Sequence, residues 1–367
     1  MALPVVRHLA DCAQYNSTVS PYQYQLFVLP YVLVESFNDL AALRQLYLDT
    51  NPLIMAFGFA LALFPIFLLV SEINKNYSQV DRVWSILPTV YNVHYAAYSH
   101  LSGLNTARVD AVAAVTAIWS IRLTYNYFRK GGYSPGSEDY RWAPVKKFTG
   151  PAVFFLFNVI FISLVQSILL FGMTTPTYIL LLTQRLSTHA PGIPSWTGGD
   201  VAAATMMLIF VAISFVADQQ QWNYHVAKSQ YQRKAKVPAG YELADLDRGF
   251  LTKGLFAYSR HPNFAAEQCV WVTLYAWSCL VTRTWYNWSG IGAIMYLFLF
   301  QASTWLTELI SSGKYPEYKI YQQEVAKFLP IPGSAPPTFP DPSTSYSNGM
   351  ASKKKDAVKA RQRYSLR

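Results

Sequence analysis

Charged positions break the chain into long apolar runs. Residues 53–71, 152–173, 264–282 and 290–310 are each close to the ~20 mostly apolar residues that one membrane-crossing helix needs. A shorter run over 201–217 contains no charge at all. Two weaker runs complete the series. The first, 83–99, contains His94 and several tyrosines, and the second, 109–128, contains Arg122. The pattern predicts an all-α integral membrane protein with about seven transmembrane helices. Residues 179–182 either extend the fourth helix or lie at the interface, and 22–34 form a short interfacial or luminal segment. The organisation expected is an N-terminal arm over 1–52, a multi-pass membrane domain over 53–333 and a tail over 334–367. That tail is rich in Pro, Ser and Thr, ends in a basic run, and reads as disordered.

Composition strengthens the membrane reading. Charged residues are 14% and apolar ones 52% of the chain, whereas an average soluble domain is about 25% charged. So few charges could not coat a soluble protein of 367 residues. The net charge of +10 does not require nucleic acid, because membrane proteins concentrate Lys and Arg on their cytoplasmic loops. Of the 30 Lys and Arg, 24 fall in 71–83, 129–150, 218–263 and 311–367, and 5 fall on the other side. That split predicts a luminal or external N-terminus and a cytoplasmic C-terminus, which fits the endoplasmic reticulum and fits a plasma membrane too. The first residues lack the basic stretch of a cleavable signal peptide. Cys12, Cys269 and Cys279 form no C-x-x-C pair, so no metal site is expected.

Ionisable residues within spans cost at least ~2.5 kcal/mol each on insertion scales and are default functional candidates. Here they gather near the ends assigned to the cytoplasm: Asp81, Arg82, Arg122, Asp218, Glu267 and Glu308. A polar cavity open to that side explains the set, whereas snorkelling or structural pairing explains each residue singly. The sharpest segment runs from Tyr258 through Ser259-Arg260-His261-Pro262-Asn263 to Glu267. Pro262 suits the first turn of a helix, where its missing N–H is no loss. Asn263, Glu267 and Trp271, spaced by four, then share one face. Arg260 and His261 sit at the positive end, suited to a phosphate or carboxylate.

Arg-His-Pro-Asn-Phe-x-x-Glu near the start of the penultimate helix resembles the membrane family grouped with steroid 5-alpha-reductases and the isoprenylcysteine methyltransferase superfamily. Other stretches resemble the same group in order: 76–85, 119–126, 131–133, 138–142, Ala217-Asp218-Gln219-Gln220, and the C-terminal signature from Lys314-Tyr315-Pro316 through Tyr321 to Pro330. The likeness covers roughly 76–330. It implies a seven-helix, steroid 5-alpha-reductase-like bundle that binds NADPH from the cytoplasmic side. The activity implied is reduction of a carbon–carbon double bond conjugated to a carbonyl in a lipid-like or sterol-like molecule. On this resemblance Asn263 and Glu267 hold the nicotinamide, Arg122 and Asp218 belong to the cofactor site, and Asp81 holds the substrate carbonyl. Lys314 and Tyr321, from the signature, join the cofactor-binding set. The reductases proper usually carry small residues where this chain has Arg260-His261-Pro262, which puts a steroid substrate in doubt.

The inventory fits that chemistry. Hydride addition to an enone builds charge on the carbonyl oxygen, so a donor must face it. A buried acid kept protonated by desolvation can serve. Asp81 is the first choice, with Tyr91 and Tyr125 as phenolic reserves. Phosphates need forked or point cations, and Arg122, Arg141, Lys228, Arg248, Arg260 and Lys314 supply them. No G-x-G-x-x-G is present, so a soluble dinucleotide fold is not expected. Two other readings stand beside the reductase: a membrane methyltransferase using S-adenosylmethionine, whose relatives also carry Arg-His-Pro, and a non-enzymatic lipid-binding membrane protein. The partners expected are a lipid-like small molecule and membrane lipids, and not nucleic acid.

Overall fold

The structure is a computed structural model that describes residues 2–190, 192–333 and 335–339. Among the described residues it is all-helical, with one isolated bridge between Ser259 and Ala326 and no strand. The chain opens with short turns and two short helices, α1 (Gln25–Ser36) and α2 (Leu40–Asp49). The first long helix, α3 (Pro52–Asn74), has Pro52 in its first turn. Asn51 caps it by accepting from the Leu53 N–H at 3.0 Å. It stops at Lys75, which adopts a left-handed conformation. There follow α4 (Gln79–Val83), α5 (Leu87–Leu101), α6 (Ala107–Arg129) and α7 (Trp142–Phe157), the last kinked at Gly150 just before Pro151. A π-helical stretch, Asn158–Val165, leads into α8 (Gln166–Gly172) and α9 (Thr175–His189). The rest is α10 (Gly198–Lys234), α11 (Leu243–Arg248), α12 (Pro262–Thr282), α13 (Gly290–Lys314) and α14 (Tyr318–Glu324).

Every apolar run in the sequence is largely helical here, with a turn over 84–86 interrupting the run 83–99. Among the described residues, five stretches are long and apolar enough to cross a membrane: Pro52–Asn74, Trp142–His189, Gly198–Lys234, Pro262–Thr282 and Gly290–Lys314. The two weaker runs became α5 and α6. With 15 residues, α5 falls short of a full crossing, and α6 carries Arg108, Asp110, Arg122 and Arg129. Residues 179–182 lie fully buried inside α9, continuing the fourth span rather than resting at a surface. The tail over 334–367 lies outside the described residues except for 335–339.

The chain divides into two compact units. The first is Met1–Phe215 with Ala266–Thr307, and the second is Val216–Ala265 with Glu308–Arg367. The first unit therefore includes the N-terminal arm. Its core joins Tyr91, Tyr95, Trp119, Tyr178, Trp271 and Trp277. Within it α13 meets the end of α8 backbone to backbone. A Cβ on Gly292 would lie 2.0 Å from the Gly172 carbonyl oxygen, a contact only glycine allows. The second unit is knit by aromatic rings. Phe250 packs against Tyr315, Tyr318, Tyr321 and Phe339.

Candidate functional site

Two motifs far apart in sequence are zipped together in the first unit. Asn76 Nδ2 and Arg82 donate to the Ser137 carbonyl, each at 2.9 Å, and the Tyr77 N–H donates to Glu138 at 2.9 Å. The Asp139 N–H donates to Ser78 Oγ at 2.9 Å. The pairing sets Asp81 beside Asp139 and Arg141. Arg141 donates to both carboxylate oxygens of Asp139, at 2.8 and 2.7 Å, and also to Ser303 on α13. Asp81 Oδ2 is buried and accepts no hydrogen bond among the described residues. Burial, and then the neighbouring Asp139 carboxylate, push the Asp81 carboxyl up to about 6, against the pull of Arg141. Trp142 Nε1 is likewise buried without a partner.

A second polar group lies where α6 meets α12. Trp119 and Arg122, three apart, share a face of α6, as do Glu267 and Trp271, four apart, on α12. Glu267 collects three donors: Trp119 Nε1 at 2.7 Å, Ser214 Oγ from α10 at 3.2 Å, and Arg122. Trp119 and Trp271 meet edge to face, with centroids 5.1 Å apart. Tyr296 of α13 stacks on Trp84, and the Tyr296 hydroxyl and Trp271 Nε1 are buried without hydrogen-bond partners among the described residues. Tyr296 and Ser303 are seven residues apart, so they share one face of α13 about 10.5 Å apart along its axis. That face therefore reaches Trp84 at one level and Arg141 at the other.

The remaining cationic candidates sit in the second unit. Arg260 donates to both oxygens of Glu308, at 2.7 and 3.2 Å, to the Gln322 carbonyl at 2.9 Å and to the Val325 carbonyl. His261 Nε2 lies 2.9 Å from the same Glu308. Asn263 Nδ2 donates to Asp218 at 3.2 Å. Lys228 donates to the Gly249 carbonyl at 2.7 Å and to the Tyr315 hydroxyl at 3.1 Å, and Lys314 lies over the Tyr315 ring. Burial raises the Tyr315 hydroxyl, but Lys228 and Lys314 outweigh it and hold it below the usual tyrosine range. Tyr321 is buried, its hydroxyl donating to the Phe256 carbonyl.

Of the residues singled out by sequence, Asp81 and Arg141 come together, and Arg122 joins Glu267. Asp218 joins Asn263, and Arg260 joins His261. Tyr91 is buried between Phe59 and Phe171 on α5, in neither polar group. Tyr125 faces outward, with Arg129 over its ring. The sequence reading missed Asp139, Ser214, Tyr296 and Ser303 as parts of these groups. A lone hydroxyl in an apolar run carries no local signal. Asp139 lay within a quoted motif, and its spacing of two from Arg141 was a signal available but unused.

A model of the family described as "Protein of unknown function (DUF1295)" matches residues 67–325. The chain belongs to the DUF1295 family. The matched region of DUF1295 contains every residue proposed for the site, from Asp81 to Tyr321, and leaves α1 and α2 before it. The uncharacterised protein C594.04c of Schizosaccharomyces pombe is 37% identical over 330 residues, covering 89% of this chain and 93% of its own. No solved structure matches.

Proposed function

We propose that this protein is an NADPH-dependent reductase of a carbon–carbon double bond conjugated to a carbonyl, acting on a lipid-like or sterol-like substrate within the membrane. The observation that carries this reading is Asp81. It is a carboxyl with a sealed, unpartnered oxygen and a raised affinity for its proton, held by two motifs folded against each other. An acid that keeps its proton up to a pH of about 6 can donate to a carbonyl oxygen as that oxygen gains charge. NADPH, when bound, supplies the hydride. The fit to a planar amide or enone is supported by Trp271 Nε1 and the Tyr296 hydroxyl, buried donors without partners that suit a carbonyl-type acceptor. Glu267, fixed by Trp119, Arg122 and Ser214, would orient such an occupant. The charge of cofactor phosphates needs cations not already engaged by acids. Arg122 and Arg141, in the same unit as Asp81, each donate to a carboxylate and do not meet that condition.

The orientation proposed is a luminal N-terminus and a cytoplasmic C-terminus in the endoplasmic reticulum, supported by the 24 to 5 split of basic residues. The test of function uses the detergent-purified full chain. NADPH should raise its melting temperature, since a ligand that binds only the folded state stabilises by mass action. An enone sterol should be reduced by wild type and not by Asp81→Asn. Stabilisation by S-adenosylmethionine and not by NADPH overturns the reductase reading in favour of methyl transfer.

A further inference from the structure

The N-terminal helix α1 has no role in the site and presents an unusual surface. No Asp, Glu, Lys or Arg occurs between Asp11 and Glu35. The inner side of α1, through Leu26, Leu29 and Val32, is half-buried. The outer side is apolar as well: Tyr24, Phe27, Val28, Tyr31 and Val34 are exposed, Phe27 to 82% and Val34 to 74%. A helix apolar on all sides belongs in a protein core or a membrane, and no protein covers this face within the first unit. With 12 residues it measures about 18 Å, too short to cross the ~30 Å of a hydrocarbon core.

Its position is fixed by polar and close contacts to the start of α3. Gln25 donates to the Asp49 carbonyl at 3.0 Å and accepts from the Asn51 N–H at 2.8 Å. Asn51 is the cap of α3. A Cβ on Gly58 would lie 3.1 Å from Leu29 Cδ2 and 3.7 Å from Leu26 Cδ1, so α1 crosses α3 directly over Gly58. Gly58 is six residues inside the helix from Pro52, or about 9 Å. In-plane helices settle about 5–10 Å into the boundary between headgroups and acyl chains. Next to Gly58, Phe59 is exposed, as are Ile66 and Leu69 along the same span, so the outer face of α1 continues the span's own outward apolar surface. The following helix α2 turns back polar, with Arg44 and Gln45 exposed, and Asp39 is used to cap it.

We infer that the outer face of α1 is embedded in the acyl chains of one leaflet, as an in-plane anchor on the side where α3 begins. The attraction is apolar rather than electrostatic, because the face carries no cation to hold anionic headgroups. This inference is independent of the reductase reading.

The test reconstitutes the full chain in phosphatidylcholine vesicles. Cys12 and Cys279 are buried, so a Cys269→Ala background allows single nitroxide labels at Phe27→Cys, Tyr31→Cys and Arg44→Cys. Labels at 27 and 31 should collide with oxygen and be shielded from a water-soluble nickel chelate, and the label at 44 should show the reverse. The pattern should be unchanged at high salt. Nickel access at 27 and 31 equal to that at 44 places the face in water and overturns the inference. Low access to both reagents places it against protein and overturns it too. If Phe27→Cys fails to fold, Val34→Cys reports on the same face.

Discussion

Arg122 of α6 donates to Glu267 of α12 across 145 positions of sequence, and both side chains are buried. Each alone would be costly in an apolar bundle. Together, with Trp119 and Ser214 on the same carboxylate, they form a hydrogen-bonded group that fixes where the two helices meet. Ionisable residues in spans are read as costs that a neutral substitution relieves, but this pairing reverses the sign. Removing one partner of a buried pair strands the other's charge, at about 3–5 kcal/mol.

Glu267→Ala and Arg122→Leu should therefore each lower thermal stability in detergent by an amount matching that figure. The double variant Arg122→Leu/Glu267→Leu should recover most of it, because matched apolar replacements of buried pairs are often neutral. Additive losses in the double variant would show that the pair is not a coupled unit. NADPH-dependent stabilisation should be absent in the double variant even where its fold is regained.

Asp81 makes stability depend on pH. Its folded value of about 6 lies above the ordinary 3.8, so between those values the folded state binds more proton than the unfolded state. Stability therefore falls as pH rises from about 4 to about 6 and stays lower above it, by roughly 3 kcal/mol at most. Asp81→Asn should remove that fall in a pH series of melting temperatures. Under the proposed function, enone reduction by wild type should decline as pH rises through about 6, since the proton is then lost. A rate that rises through the same window would exclude Asp81 as the donor.

The apolar runs were legible because a membrane span is a local signal, and each became a helix. Their status as crossings was less legible. The run at 83–99 became α5, which is short, and that at 109–128 became α6, whose ends are charged. Asp81, Arg122 and Glu267 stood out because ionisable residues are rare there. What each one touches was hidden, since hydrogen-bond partners lie 145 and 148 positions apart for Arg122 with Glu267 and Trp119 with Glu267. The pair Arg108 and Asp200 was missed altogether. Arg108 counted as a loop cation, yet it is buried, donating to both oxygens of Asp200 at 2.8 and 3.2 Å, while Trp277 donates to the same carboxylate at 2.7 Å. No local pattern marks residues 92 apart as partners.

Tyr91 and Tyr95, four apart on α5, each bury a hydroxyl with no hydrogen-bond partner among the described residues. An unsatisfied buried polar group costs about 1–3 kcal/mol. Tyr91→Phe and Tyr95→Phe should therefore raise thermal stability rather than lower it. If Tyr91 is the phenolic donor of the reaction, Tyr91→Phe should be more stable and less active, while Tyr95→Phe keeps its activity. A loss of stability in both would show that the hydroxyls are satisfied in solution.

Gly292→Ala tests the close crossing of α13 over the end of α8. The added methyl would meet backbone atoms of Gly172 and Met173, which cannot rotate away. Overpacking typically costs about 1–3 kcal/mol, and more where backbone must move. Gly313→Ala, on the same helix with open space around it, is the control and should be neutral or slightly stabilising, as alanine favours helix. Equal effects at the two positions would argue against a tight crossing at Gly292.

Arg260 separates a structural from a cofactor-binding role for the Arg-His-Pro segment. Its place at the positive end of the helix makes this residue a candidate for cofactor phosphates, but its guanidinium already serves four acceptors: two oxygens of Glu308 and the carbonyls of Gln322 and Val325. Those contacts tie the start of α12 to α14 and the stretch after it. A lysine cannot reproduce a planar fork, because it is a point charge with three rotating donors. Arg260→Lys should thus lose one or two charge-assisted bonds, at about 1.5–3 kcal/mol each. Arg260→Ala should lose more, although His261 still faces Glu308 at 2.9 Å. The informative quantity is the rise in melting temperature on adding NADPH, compared within each variant. If Arg260 is structural, Arg260→Lys melts lower with and without NADPH and the rise is unchanged. If it holds a phosphate, the rise itself shrinks, and Lys228→Ala or Lys314→Ala should then leave it intact. The four acceptors around Arg260 favour the structural outcome.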